Sequence, residues 1–403
     1  MSSISKPERA TQNRVIDLFQ SQLGYTYLGD WSERANSNIE EEFLTAWLEK
    51  NGYNAVQISN ALTTLKAEAG NHNRSLYENN RAVYNLLRYG IPVQAEAGAN
   101  HETVKFINWE KPEENDFAIA EEVTLKGNHE RRPDIVLYIN GIAIGVLELK
   151  NSRVSIGNGI RQNLSNQQPG FNAWFFTTIQ LVMAGNDSEG LQYGTTGTPE
   201  KYFLKWKEDE QDNSTYKLDK YLSKICRKDR LIELIYDFIL FDGGVKKLPR
   251  VHQYFGIKAA QEHVRKRQGG IIWHTQGSGK SILMVLLTKW ILENNPDARI
   301  VIVTDRDELD KQIAGVLRSA GAVSETDANK IRATSGRDLI TKLGQPSPRI
   351  LCSLVHKFGR RDVDDFEAFI RDLEQQPSQT VGEAFVFVDE CHRTQSGKLH
   401  RAM

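Results

Sequence analysis

The sequence is poor in cysteine, has no long apolar run and carries almost no excess charge of either sign. Its 403 residues include three cysteines, Cys226, Cys352 and Cys391. That odd, widely spaced set excludes a disulfide scaffold and predicts a reduced, cytoplasmic compartment. No uninterrupted apolar window reaches the roughly 18 residues of a membrane span, so no membrane partner is expected. The opening Met1-Ser2-Ser3-Ile4-Ser5-Lys6 lacks the apolar core of a signal peptide. Fifty-one Lys and Arg against 52 Asp and Glu leave a net charge of −1. This neither demands nor excludes nucleic acid, because a DNA-binding face needs only local positive charge. One such stretch, 246–267, sets Lys246, Lys247, Arg250, Lys258, Arg265, Lys266 and Arg267 against Glu262 alone. A solvated helix face explains it equally well.

What is present is the composition of a globular protein, 39% hydrophobic and 26% charged, long enough for two or three domains with ample core. No repeat of fixed period occurs. Helical patterns cover 11–23 and 39–50, each followed by a Gly-Tyr pair that suits a C-terminal cap, and a third covers 78–88. Strand patterns follow at 104–109, 117–125, 134–139 and 142–149, an α+β mixture around one sheet. The polar run 205–220 reads as an exposed loop and 231–240 as a helix. From about Gly269 the rhythm becomes strand and helix in turn: strands at 270–274, 299–304, 349–354 and 384–389, helices at 282–293, 308–320 and 364–373. That alternation predicts a parallel sheet covered by helices. The expected division is a first domain over 1–240, with its core at about 100–185, and a second over 241–403.

Two constellations carry chemistry. In the first, Asp134 follows Arg131-Arg132-Pro133, and Glu148-Leu149-Lys150 closes a strand 14 residues later. Asn140-Gly141 between them is a strong hairpin signal. The period of two places Glu148 and Lys150 on one face of a strand whose run 142–147 is apolar on both faces. Charges ending such a strand are costly unless paired or metal-bound. Two carboxylates can hold Mg²⁺ to polarise a scissile phosphate and acidify a water, and a neighbouring lysine can stabilise the developing charge. A buried salt bridge at a strand end is the alternative. A strict two-residue turn would set Asp134 opposite Leu147 rather than Glu148, so a bulge, a longer loop or strong twist is expected in this hairpin. Gln162, in the polar stretch 159–163, could begin a helix leading back over the site, and a solvated surface explains it as well.

In the second, His274-Thr275-Gln276-Gly277-Ser278-Gly279-Lys280-Ser281 lies between an apolar strand pattern and an apolar helix pattern, the context of a phosphate loop. Gly277 and Gly279 let backbone amides approach a β-phosphate, Lys280 reaches the β- and γ-phosphates of ATP, and Ser281 ligates Mg²⁺. His274 stands where the general pattern has its first glycine. The strand Phe385-Val386-Phe387-Val388 ends in Asp389-Glu390, an acid for Mg²⁺ and an acid to activate the attacking water. Gln253, about 25 residues before the loop, is placed to read an adenine edge. The run 303–310 falls where a DNA-contacting motif of a helicase core belongs.

Taken in order, Arg131-Arg132-Pro133-Asp134…Glu148-Leu149-Lys150-Asn151, Trp273 to Ser281, and Asp389-Glu390-Cys391-His392-Arg393-Thr394-Gln395 resemble the R subunit of type I restriction–modification enzymes. The resemblance covers nearly the whole chain. It implies an N-terminal PD-(D/E)xK nuclease domain followed by a RecA-like P-loop domain of a superfamily 2 DNA translocase. It also implies double-stranded DNA as substrate, and methylation and specificity subunits as partners. By it Asp134, Glu148 and Lys150 are nuclease residues, and Gln162 matches the glutamine of a Gln-x-x-x-Tyr motif whose tyrosine position holds Asn166. Gln253 and Thr275 to Ser281 bind ATP, and Asp389 and Glu390 complete the ATPase set. The chain stops at Met403, before any second RecA-like domain, so it is expected to be a fragment that binds ATP weakly, hydrolyses it negligibly and does not translocate. Two other readings stay open: a motor part whose N-terminal domain grips DNA without cutting, and an inert partner-binding truncation.

Overall fold

In the computed structural model the described residues are 6–94, 100–127, 129–208, 216–304, 313–315, 317, 330–354 and 381–389. The chain divides into two compact units, Met1–Val251 and His252–Met403. Both are mixed α/β.

The first unit opens with α1 (Lys6–Asp17), which continues as one π-helical turn, Leu18–Gln22, before β1 (Thr26–Asp30). Three helices follow, α2 (Glu41–Lys50), α3 (Ala55–Ala69) and α4 (Leu76–Tyr89). Helix α3 was not expected from the sequence pattern. Its start is fixed by a capping box in which Asn54 and Gln57 bond each other's backbone amides. The small hairpin β2 (Ile91–Gln94) and β3 (His101–Val104) replaces the strand expected at 104–109. Residues 105–109 are held by loop bonds instead, such as the Asn115 side chain accepting from the Asn108 amide at 2.8 Å.

The core is a seven-stranded mixed sheet. To β1 it adds β4 (Phe117–Glu121), β5 (Ile135–Ile139), β6 (Ile142–Leu149), β7 (Leu181–Asn186), β8 (Gly190–Gly194) and β9 (Leu204–Lys205), in the order β1-β4-β5-β6-β7-β8-β9. Strand β4 stops at Glu121, short of the expected 125, because Glu122 turns the backbone to φ +53°. Every residue of β4, β5, β6 and β7 is buried. At about 1.5–3 kcal/mol for each large apolar side chain removed from water, these strands dominate the stability of the unit. Helix α5 (Ile156–Asn166) packs Ile156 and Ile160 against Val146, Val182 and Ala184. On the opposite face, Leu218 of α6 (Lys217–Ile225) lies against Gly185, so the polar run ends in a helix at Lys217. The next helix, α7, runs Lys228–Phe238, and Leu240 already belongs to the hairpin β10 (Leu240–Asp242) and β11 (Val245–Lys247).

The second unit contains α8 (Val251–Arg265), α9 (Lys280–Asn294), β12 (Ala298–Thr304), α10 (Gly336–Leu343), β13 (Ile350–Leu354) and β14 (Glu383–Val388). Strand β12 pairs in parallel with both β13 and β14. The strand expected at 270–274 does not form; Ile271 and Trp273 are 70% and 87% exposed. An apolar run becomes a strand only when an edge pairs its amides, and β14 pairs β12 alone among the described residues. The helices expected at 308–320 and 364–373 lie wholly or largely outside the described residues.

Candidate active site

The hairpin carrying Asp134 and Glu148 turns at Asn140-Gly141, with φ +53° and +82°, values that fit a two-residue primed turn. Asn140 tolerates this because its side chain is bonded on both sides, accepting from the Asp116 amide at 2.7 Å and donating to the Phe106 carbonyl at 2.9 Å. From the turn the ladder pairs Ile139 with Ile142 and Tyr138 with Ala143, then shifts by one residue, so that Leu137 meets Gly145 and Ile135 meets Leu147. The shift is the irregularity that the residue count called for. The next position in register sets Asp134 opposite Glu148 on the same face.

At this end of the sheet the Leu149 amide donates to Asp134 Oδ2 at 2.6 Å. Lys150 Nζ lies 3.8 Å from Glu148 Oε2 and 4.0 Å from Asp134 Oδ2. It lies 3.6 Å from Glu8 Oε1 and donates to the Leu149 carbonyl at 2.9 Å. Glu148 is wholly buried, and neither of its oxygens has a hydrogen-bond partner. A buried carboxylate without donors costs several kcal/mol. The site answers electrostatically. Burial, then the Asp134 charge, pushes the Glu148 carboxyl far above the usual carboxylate range. Burial pushes Asp134 up to about 6 against the opposing pull of Lys150 and the Leu149 amide. Burial works against the Lys150 ammonium, but Glu148, Asp134 and Glu8 more than offset it and raise its pKa.

The structure therefore brings Asp134, Glu148 and Lys150 together. It adds Glu8, which the sequence reading missed: an acid in the first turn of an amphipathic helix reads as a partner of the helix dipole and gives no hint of tertiary placement. Gly159 is a second missed position. A Cβ there would stand 3.3 Å from Glu148 Cβ and 3.2 Å from Ala184 Cβ, so glycine lets α5 lie this close to the carboxylate without displacing its neighbours by a few tenths of an ångström. Gln162 is on α5, half-buried, and makes no hydrogen bond to the three charged residues. Among the described residues no group of three or more His, Cys, Asp and Glu side chains is gathered as a metal cage. The orphaned, fully buried oxygens of Glu148 beside Asp134 nonetheless suit a hard divalent cation, whose ligands are oxygens of this type.

In the second unit, Thr275–Gly279 forms a loop with Gly277 at φ +75° and Gly279 at +85°, and Lys280 opens α9. The left-handed Gly279 caps the helix, and no acid occupies the first turn of α9 to repel an anion. Gln253, on α8, donates its amide to the Ser278 and Gly279 carbonyls at 2.9 and 3.1 Å. His252 Nε2 lies 3.2 Å from the Ser278 carbonyl. The His252 and His274 rings meet edge to face at 5.1 Å, and burial, with His252 and Lys280 nearby, lowers the His274 pKa. Lys280 and Asp389 line one groove of about 770 Å³. Asp389 is buried at the end of β14 and donates its amide to the Val303 carbonyl at 2.9 Å. Ser281 follows Lys280 on α9, and Thr275 and Gln276 are exposed. Glu390 and the run 305–310 lie outside the described residues.

The family profile "Type I restriction enzyme R protein N terminus" matches residues 5–201, and "SWI2/SNF2 ATPase" matches residues 252–403. Over 96% of its length the chain is 26% identical to a Methanocaldococcus jannaschii protein provisionally named type I restriction enzyme MjaIXP endonuclease subunit, covering 40% of that protein. It is 22% identical, over 98% of its length, to the type I restriction enzyme SauMSSORF170P endonuclease subunit of Staphylococcus aureus, covering 41% of it. The HindI endonuclease subunit of Haemophilus influenzae is 25% identical over 80% of the chain, which covers 32% of that subunit. The chain is thus related, along nearly its whole length, to the endonuclease subunits of type I restriction enzymes, and spans about two fifths of the length of the first two relatives. No helix among the described residues is long and apolar enough to cross a membrane.

Proposed function

We propose that this chain is the nuclease and ATP-binding part of a type I restriction subunit that cleaves double-stranded DNA and translocates it with ATP. Its expected partners are methylation and specificity subunits, and its expected compartment is the cytoplasm. The observation that carries the reading is Glu148: a fully buried carboxylate without a hydrogen-bond donor, beside Asp134 and 3.8 Å from the Lys150 ammonium.

Asp134 and Glu148 would hold Mg²⁺, with Glu8 adding negative charge across Lys150. The cation, when bound, supplies Lewis-acid polarisation of the scissile phosphate. Lys150 would orient a water and stabilise charge developing on the phosphate, and the Leu149 amide, donating to Asp134 Oδ2 at 2.6 Å, would hold that carboxylate toward the cation. In the second unit the amides of the 275–279 loop and the α9 N-terminus would cradle phosphates, with Lys280 on the β- and γ-phosphates. Ser281 and Asp389 would take the nucleotide's Mg²⁺, Glu390 would activate water, and Gln253 would read adenine.

Assembled with methylation and specificity subunits, the complete endonuclease subunit is expected to cut unmethylated plasmid DNA with Mg²⁺ and ATP. A Lys150→Ala subunit that cuts as fast as the parent would overturn the reading. A DNA-gripping motor part without cleavage is the second reading, favoured by the lack of a three-ligand cluster among the described residues. Cleavage that depends on Mg²⁺ and on Lys150 decides against it.

A further inference from the structure

The kink that ends β4 is made by a side-chain-bearing residue in the left-handed region, where backbone conformation alone would select glycine: Glu122, at φ +53°. Strain of this kind persists where something else over-determines the residue, and it clusters at functional sites. Here the side chain is what is kept. Glu122 is 4% exposed. Its Oε1 accepts from Gln12 Nε2 at 2.9 Å, its Oε2 is ion-paired with Arg132 Nε at 2.7 Å, and Arg9 stands 3.9 Å away. The backbone amide of Glu122 donates to the Asp134 carbonyl at 3.0 Å, and the same Gln12 amide group reaches that carbonyl at 3.4 Å. The Asp134 carbonyl is thus held by the Glu122 main-chain amide and by Gln12, whose amide group the Glu122 carboxylate orients together with the Glu121 carboxylate at 2.8 Å.

We infer that Glu122 is a positioning residue for the cation site of Asp134 and Glu148: it fixes the Asp134 backbone and adds a buried negative charge behind the two ligands. The inference rests on the nuclease reading above. Gln12 and Arg132 occupy both Glu122 oxygens, so the residue acts through Asp134 and through its charge, not as a ligand. Groups placed behind metal ligands in this way typically change metal affinity by about tenfold or more.

The test is Mn²⁺ binding to this chain by titration calorimetry, beside thermal melting in EDTA. Glu122→Gln keeps the shape and removes the charge; Glu122→Gly relieves the backbone and removes the side chain. Both are expected to weaken Mn²⁺ binding about tenfold or more, Glu122→Gln with its cooperative melt retained. Lower melting temperatures with Mn²⁺ affinity unchanged in either folded variant would show a mere staple for α1 and overturn the inference. A parent chain that binds no Mn²⁺, indistinguishable from Asp134→Asn and Glu148→Gln, would sink the nuclease reading itself and this inference with it.

Discussion

The Leu149 amide donates to the Asp134 carboxylate at 2.6 Å, tying the residue before β5 to the last residue of β6. A one-residue shift in the ladder between Leu137 and Tyr138 makes that bond possible, because it moves Asp134 from opposite Leu147 to opposite Glu148. The charged end of the hairpin is therefore built by backbone geometry before any ligand arrives.

Lys150 is the residue whose loss separates cutting from gripping. Lys150→Ala in the complete complex should lower Mg²⁺-dependent cleavage by about a hundredfold or more, the scale of losing one stabiliser of transition-state charge. DNA affinity should be unchanged. Plasmid cleavage and a parallel anisotropy titration give the two readouts.

Glu8 reaches the site only through the packing of α1. Glu8→Ala should reduce cleavage by about tenfold or more, and the melting temperature should fall by no more than a few degrees, because Glu8 anchors none of the α1 contacts made by Arg9, Gln12 and Arg14. A variant as active as the parent would remove Glu8 from the site.

The raised Asp134 carboxyl gives a pH dependence of definite sign. Its native value of about 6 lies above the ordinary carboxylate range, so below pH 4 folded and unfolded chains both carry the proton. Between about pH 4 and 6 the folded chain binds more protons, and stability falls as pH rises, by about 3 kcal/mol in all. Asp134→Asn should therefore melt higher than the parent at pH 7.5 in EDTA, with the gap closing toward pH 4. Cation binding by the parent should tighten over the same rise, because the proton must leave first.

The proposed phosphate role of the 275–281 loop has its own test. A Cβ at Gly279 would stand 2.3 Å from Gln253 Nε2, on a residue at φ +85°. Gly279→Ala should abolish binding of a fluorescent ATP analogue and cost about 1–2 kcal/mol of stability from the left-handed backbone alone. Lys280→Ala should abolish analogue binding with no comparable loss in melting temperature.

Much of this was legible before the fold. Continuous apolar runs marked β5 and β6, the Asn-Gly pair marked their turn, and a residue count alone required the irregularity in their ladder. The 275–279 loop and the start of α9 were legible because glycine spacing and an apolar helix are local. Helix α3 was not, since its alanine- and threonine-rich surface dilutes the apolar period.

Sequence alone pointed to candidate chemistry-bearing residues and to the approximate places of β4, β5, β6, β12, β13 and β14, because apolar runs, turn preference and helix caps act over a few residues. Only the tertiary structure decided that Glu8, 126 positions before Asp134 in the chain, shares Lys150 with it, and that Glu148 is left without a donor. Proximity across such separations is set by how α1 and α5 pack on the sheet, and no local pattern encodes it. Likewise the apolar run at 270–274 has the composition of a strand, but a strand exists only where a neighbour accepts its hydrogen bonds.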